Sequence, residues 1–125
     1  MMNPCLPSFN EARSPSMPTA ALTNFLKLLE SGRDSALLRY AIANEYLKTG
    51  ESVLAAEHLR AAVRHDPNYS AAWKLLGRAL EQTGELQKAS DAYAEGVRVA
   101  ESKGDKQAAR EMAVFARRLQ KKLES

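Results

Sequence analysis

Apolar residues recur along this chain with the spacing of one helix face after another. Leu22, Phe25, Leu26 and Leu29 stand at i, i+3, i+4 and i+7, the stripe of an amphipathic helix. Thr19 is placed to cap its start and Gly32 lies just past its end. The pattern predicts a second helix from about Ser35 to Thr49, with Leu38, Ile42, Ala43 and Tyr46 inward and Gly50 ending it. A third runs from Ser52 to about His65, where Asp66-Pro67-Asn68 breaks it, because the residue before proline resists helical geometry. A fourth spans about Ser70 to Thr83 before Gly84, and a fifth Leu86 to about Ser102, stopped at Lys103-Gly104-Asp105. The last runs from about Lys106 to Leu123, with Ala109, Met112, Ala113, Ala116, Leu119 and Leu123 on one face. No run alternates with period two, so no sheet is expected.

The helices repeat. Thr49-Gly50-Glu51 returns as Thr83-Gly84-Glu85 at an offset of 34, and Ala55, Leu59 and Val63 return as Ala89, Tyr93 and Val97. The same step backwards lands on Ala21, Phe25 and Leu29, so the first helix is the second half of an incomplete unit. One unit reads Trp73-x2-Leu76-Gly77-x2-Leu80 then Ala89-x3-Tyr93. The unit before it reads Arg39-x2-Ile42-Ala43-x2-Tyr46, then Ala55-x3-Leu59, then Pro67. These residues resemble the tetratricopeptide repeat family over roughly 19–103, departing where Arg39 replaces the tryptophan and Glu101 the final proline. Ala109, Met112, Ala113 and Ala116 match Trp73, Leu76, Gly77 and Leu80 if the linker has gained two residues, and the helix then turns strongly charged, as a solvent-facing cap would. The resemblance implies an all-α fold, a short right-handed superhelical stack of antiparallel helix pairs with about six helices over 18–125, each pair stabilised by its neighbours.

Composition narrows the function. At 125 residues, 45% hydrophobic and 26% charged, the chain suits one globular domain. The segment from Asp105 to Glu124 carries six basic against three acidic side chains, which accounts for the whole net charge of +3. One basic end with a single aromatic, Phe115, and no run of them to stack on bases argues against nucleic-acid binding, and the alanine-rich face of that helix is needed for packing, which argues against a membrane. Residues 1–17 hold three of the five prolines and are expected to form a disordered tail, with Met17 as an alternative start. Cys5 is a lone thiol in that tail, and with no apolar span or signal-like leader the expected location is the cytoplasm.

Catalysis has no candidate residues. His58 and His65 are separated by about 10.5 Å of helical rise, too far to share a metal, and each is expected to be a partly exposed helix residue. No Cys pair, phosphate loop or nucleophile elbow is present, so no enzyme, cofactor, metal or small-molecule substrate is expected. The resemblance instead implies a concave groove lined by the first helix of each pair, receiving a protein or peptide. The rows that would line it are Tyr40, Asn44 and Lys48, then Lys74, Arg78 and Gln82, then Arg110, Val114 and Arg118. With no acid in those rows, the expected partner is an acidic segment or a C-terminal carboxylate. The chaperone-docking subtype of the family does not fit, because Tyr40 and Leu75 replace residues of its clamp although Asn44 is retained. A homodimer formed through exposed apolar edges of the stack is the first alternative, and RNA binding through the basic last helix ranks behind it.

Overall fold

The computed structural model describes residues 18–125, so the expectations for the 1–17 tail and Cys5 lie outside the described residues. Among the described residues six helices follow in order: α1 (Ala20–Glu30), α2 (Ala36–Lys48), α3 (Ser52–His65), α4 (Ser70–Gln82), α5 (Leu86–Ser102) and α6 (Lys106–Glu124). No strand occurs among the described residues. Helix content and boundaries follow from local signals. The Thr19 hydroxyl accepts from the Leu22 amide at 3.0 Å, and the Ser35 hydroxyl from the Leu38 amide at 3.1 Å, each satisfying an amide that the helix itself leaves unpaired.

The recurring Thr-Gly-Glu turns are built alike. Gly50 and Gly84 adopt φ of 80° and 85°, which lets the Glu51 amide reach Tyr46 O and the Glu85 amide reach Leu80 O at 2.9 and 3.0 Å. This left-handed closure satisfies the final carbonyls and reverses the chain into the next helix. The end of α3 uses different chemistry. Asp66 accepts from the Asn68 amide at 3.0 Å, and the Trp73 indole donates to Pro67 O at 2.8 Å, pinning the turn to α4.

Each helix packs on its neighbours in chain order, so α1 to α6 form one stack, with α2 also touching α4. Its core is fine-grained: Ala43, Ala55, Ala62, Ala72 and Ala89 are fully buried where helices cross, and Leu59 and Leu119 fill the space between pairs. A fully buried leucine contributes about 2 kcal/mol of transfer free energy. The closest approaches use glycine: Gly77 lies against the Tyr93 ring and Gly96 against Met112. The result leaves one side of α4 and α6 facing each other across a groove.

Candidate functional site

Lys74 and Arg78 sit one turn apart on α4 and point away from the core because Leu75, Leu76, Ala79 and Leu80 occupy its buried side. With Glu81 they form one wall of a cavity of about 280 Å³, whose other lining residues are Tyr93, Phe115 and Arg118. Tyr93 and Phe115 make the aromatic floor, ring centroids 5.3 Å apart and tilted by 54°. The Tyr93 hydroxyl donates to Glu81 Oε2 at 2.9 Å. Burial, then the adjoining Glu81 carboxylate, pushes the Tyr93 phenol well above its ordinary range, so it remains a donor at any physiological pH. The Arg118 guanidinium lies 5.2 Å from the centre of the Phe115 ring and reaches Glu81 at 3.4 Å.

The electrostatics differ from what the three rows alone suggest, because acids from adjacent rows turn toward them. Lys74 pairs with Glu111 across the groove, Arg118 with Glu81, and Lys48 with Glu45 at 2.9 Å on its own helix. Glu45 is buried, and the Lys48 ammonium followed by the Thr19 hydroxyl holds its carboxyl below the ordinary value. Arg78 is exposed and has no ion-pair partner among the described residues. The two pairs that cross from α4 to α6 are half-exposed, and such pairs stabilise by only about 0.5 kcal/mol, so an incoming carboxylate can exchange with Glu111 or Glu81 at small cost.

The structure therefore brings together Lys74, Arg78 and Arg118. Asn44 and Lys48 are exposed on α2 outside that lining, and Tyr40 is half-buried, its ring 5.2 Å from that of Tyr69. The Gln82 amide oxygen accepts from the Ser52 hydroxyl, and Val114 is exposed. Arg110 lines a separate cavity at the terminal end, with Val97, Glu101 and Ala113. It stands where Lys74 stands on α4, on the side that faces a following unit, and among the described residues no helix follows α6. Sequence reasoning missed Glu81, Glu111, Tyr93 and Phe115. A signal for the acids was present: both cross-groove pairs, Lys74–Glu111 and Glu81–Arg118, join opposite charges 37 positions apart.

A second polar cluster ties the α1–α2 turn to α3. Arg39 donates to both carboxylate oxygens of Asp34 at 2.8 and 3.0 Å, and its third nitrogen donates to His58 Nδ1 at 3.1 Å. His58 stacks on Tyr46 at 5.6 Å, and His65 Nε2 lies 3.2 Å from Asp34. His58 is thus half-buried and structurally engaged. Burial, then the Arg39 charge, lowers its pKa, while the Arg39 bond holds the Asp34 carboxyl far below its ordinary value. Among the described residues no group of three or more His, Cys, Asp or Glu side chains converges as a metal site would, and no helix is long and apolar enough to cross a membrane.

Stacked helix pairs of period 34, small residues at the crossings and a groove between alternate helices define a helical repeat scaffold. Residues 40–106 match the tetratricopeptide repeat family, and the chain belongs to it. It is 48% identical over 93 residues to a TPR repeat-containing protein of Pseudomonas aeruginosa, covering 74% of this chain and 89% of that one. Among solved structures, a protein from Bordetella parapertussis superposes with a TM-score of 0.71 at 38% identity, covering 83% of this chain and 90% of that chain. The Sgt2 TPR domain from Aspergillus fumigatus does so at 0.74 with 24% identity, covering 92% and 76%, a likeness of fold alone. The fold generally mediates protein–protein interaction, and members are typically scaffolds without catalytic activity.

Proposed function

We propose that this chain is an adaptor that holds an acidic protein segment in the groove between α4 and α6. The observation that carries the reading is Arg78: an exposed guanidinium with no ion-pair partner among the described residues, set between Lys74 and Arg118 above the Tyr93–Phe115 floor. A planar guanidinium takes a carboxylate through two parallel hydrogen bonds, so Arg78 receives the first acid of the segment. Lys74 and Arg118 take further acids by exchange with Glu111 and Glu81. Apolar side chains of the segment rest on Phe115, and Asn44 and Lys48 on α2, with Tyr40 behind them, continue the track. Arg110 contributes only to a segment long enough to reach the terminal end.

The test is fluorescence anisotropy with a panel of labelled peptides: Asp/Glu-rich, matched Asn/Gln-rich, and short peptides with a free or amidated C-terminus. The acidic peptides bind most tightly, and the Lys74→Glu, Arg78→Glu pair abolishes that binding with helicity unchanged by circular dichroism. Equal binding of acidic and neutral peptides, or capture unchanged in the double variant, overturns the proposal.

A further inference from the structure

Among the described residues, the two ends of the stack are complementary halves of one repeat. In the complete pairs α2–α3 and α4–α5, the second helix buries Ala55 and Ala89 fully, Leu59 fully and Tyr93 almost so. The equivalent residues of α1 are left open: Ala21 is exposed and Phe25 only half-buried, because no first helix covers them among the described residues. At the other end α6 is a first helix that no second helix follows among the described residues. Ala113, at the place of the buried Gly77, is half-exposed. Each open end carries an apolar cleft. The one at α1–α2 has about 410 Å³ and includes Phe25, Leu28, Leu37 and Leu38, with Arg33 beside them; the one at α5–α6 has about 390 Å³ and includes Val97, Ala109 and Ala113, with Glu101, Lys106 and Arg110 at its edge. Leu28 and Leu37, which flank the α1–α2 cleft, are 41% and 69% exposed.

We infer that these ends join, α1 of one copy packing on α6 of another, so that the chain assembles head to tail. The internal α4–α5 interface supplies the template, because the repeat offsets say which side chains would meet. Gly77 lies against Tyr93 inside the chain, and the same positions across two copies pair Ala113 with Phe25. Trp73 lies against Gly96, and the same positions pair Ala109 with Leu28. Small meets large in both, and in the second the sizes are exchanged between partners, so the volumes remain matched. Residues 1–17 are a poorer occupant of the α1 cleft. Counting back 34 from Ala43, which must be small to admit the crossing helix, lands on Phe9, and Pro4 and Pro7 remove backbone donors nearby. Such a contact is heterologous: each copy keeps one free end, so assembly continues past a dimer.

The experiment is sedimentation velocity on the full chain across micromolar to millimolar concentration, with end-blocking variants. The wild type gives a concentration-dependent series of dimers and larger species. Leu28→Glu blocks one end and Ala113→Glu the other; each alone stays monomeric, and a one-to-one mixture forms a heterodimer and nothing larger, since only one complementary pair of ends survives. Leu37→Glu, at an exposed position, substitutes for the first variant if Leu28→Glu unfolds. A wild type that is monomeric throughout, as occupation of the cleft by residues 1–17 would give, overturns the inference. So does a closed dimer that ignores the end variants, or a mixture that fails to pair.

Discussion

Gly77 and Tyr93 are locked together: a Cβ on Gly77 would come within 2.6 Å of the Tyr93 ring, whose hydroxyl is itself tied to Glu81. Alanine is the better helix former by about 1 kcal/mol, so propensity alone says Gly77→Ala stabilises α4. Overpacking a fixed ring costs about 1–3 kcal/mol, and the ring is not free to retreat. We expect a net loss of about 1 kcal/mol in urea denaturation, with weaker groove binding, because Tyr93 is the groove floor.

Gly96→Ala provides the contrast. Its Cβ would meet the Met112 thioether and the Trp73 Cβ, the latter at 3.2 Å. A thioether end rotates away readily where a phenol ring does not. The same helix-propensity gain should then nearly cancel the strain, leaving stability within about 1 kcal/mol of the wild type. A loss equal to or greater than that of Gly77→Ala would contradict the assignment of Tyr93 as the rigid partner.

Stability should fall as pH drops below neutrality because of His58. Its ordinary value is 6.5 and the folded value is lower, chiefly through burial. The unfolded chain therefore takes up the proton first; the contribution is fully present above pH about 6.5 and is lost as pH falls through the folded value. Protonation would place a second cation 3.1 Å from the Arg39 guanidinium. Asp34 acts in a separate window, since its depressed carboxyl contributes above its ordinary 3.8 and is lost only in stronger acid. Urea midpoints between pH 7.5 and 5 should slope downward in the wild type and flatten in His58→Gln; equal slopes would remove His58 as the cause.

Glu111→Gln should tighten binding of an acidic peptide. The carboxylate competes with the ligand for Lys74, and a half-exposed pair of this kind stabilises by about 0.5 kcal/mol, so affinity should rise roughly two-fold. The gain should shrink at high salt. Anisotropy titrations at low and high ionic strength check both statements.

The helices were legible because their ends are marked by local chemistry that tertiary packing has no reason to override. Thr19, Ser35 and the Thr-Gly-Glu turns do in the fold what their residue types require. The repeat was legible because Ala55 and Ala89 must both be small for the same reason. The groove was legible only by rows. Spacing along one helix says which side chains share a face, but not which acids on the opposite helix turn toward them. Glu81 and Glu111 therefore stayed hidden, as did Tyr93, whose core position gave no hint that its edge also floors the groove. Arg110 shows the same limit: its row continues the pattern, while the fold sets it in a separate cavity with Val97, Glu101 and Ala113.

The central claim is that an acidic segment lies over Arg78 between α4 and α6. Titrating an isotopically labelled sample with an Asp/Glu-rich peptide and following backbone and arginine side-chain resonances tests it most directly. The account predicts that the largest shifts fall on Lys74, Arg78, Tyr93, Phe115 and Arg118, with Arg78 Nε–Hε moving first. Shifts confined to the opposite face, around Arg60, Arg64 and Lys88 between α3 and α5, would contradict it.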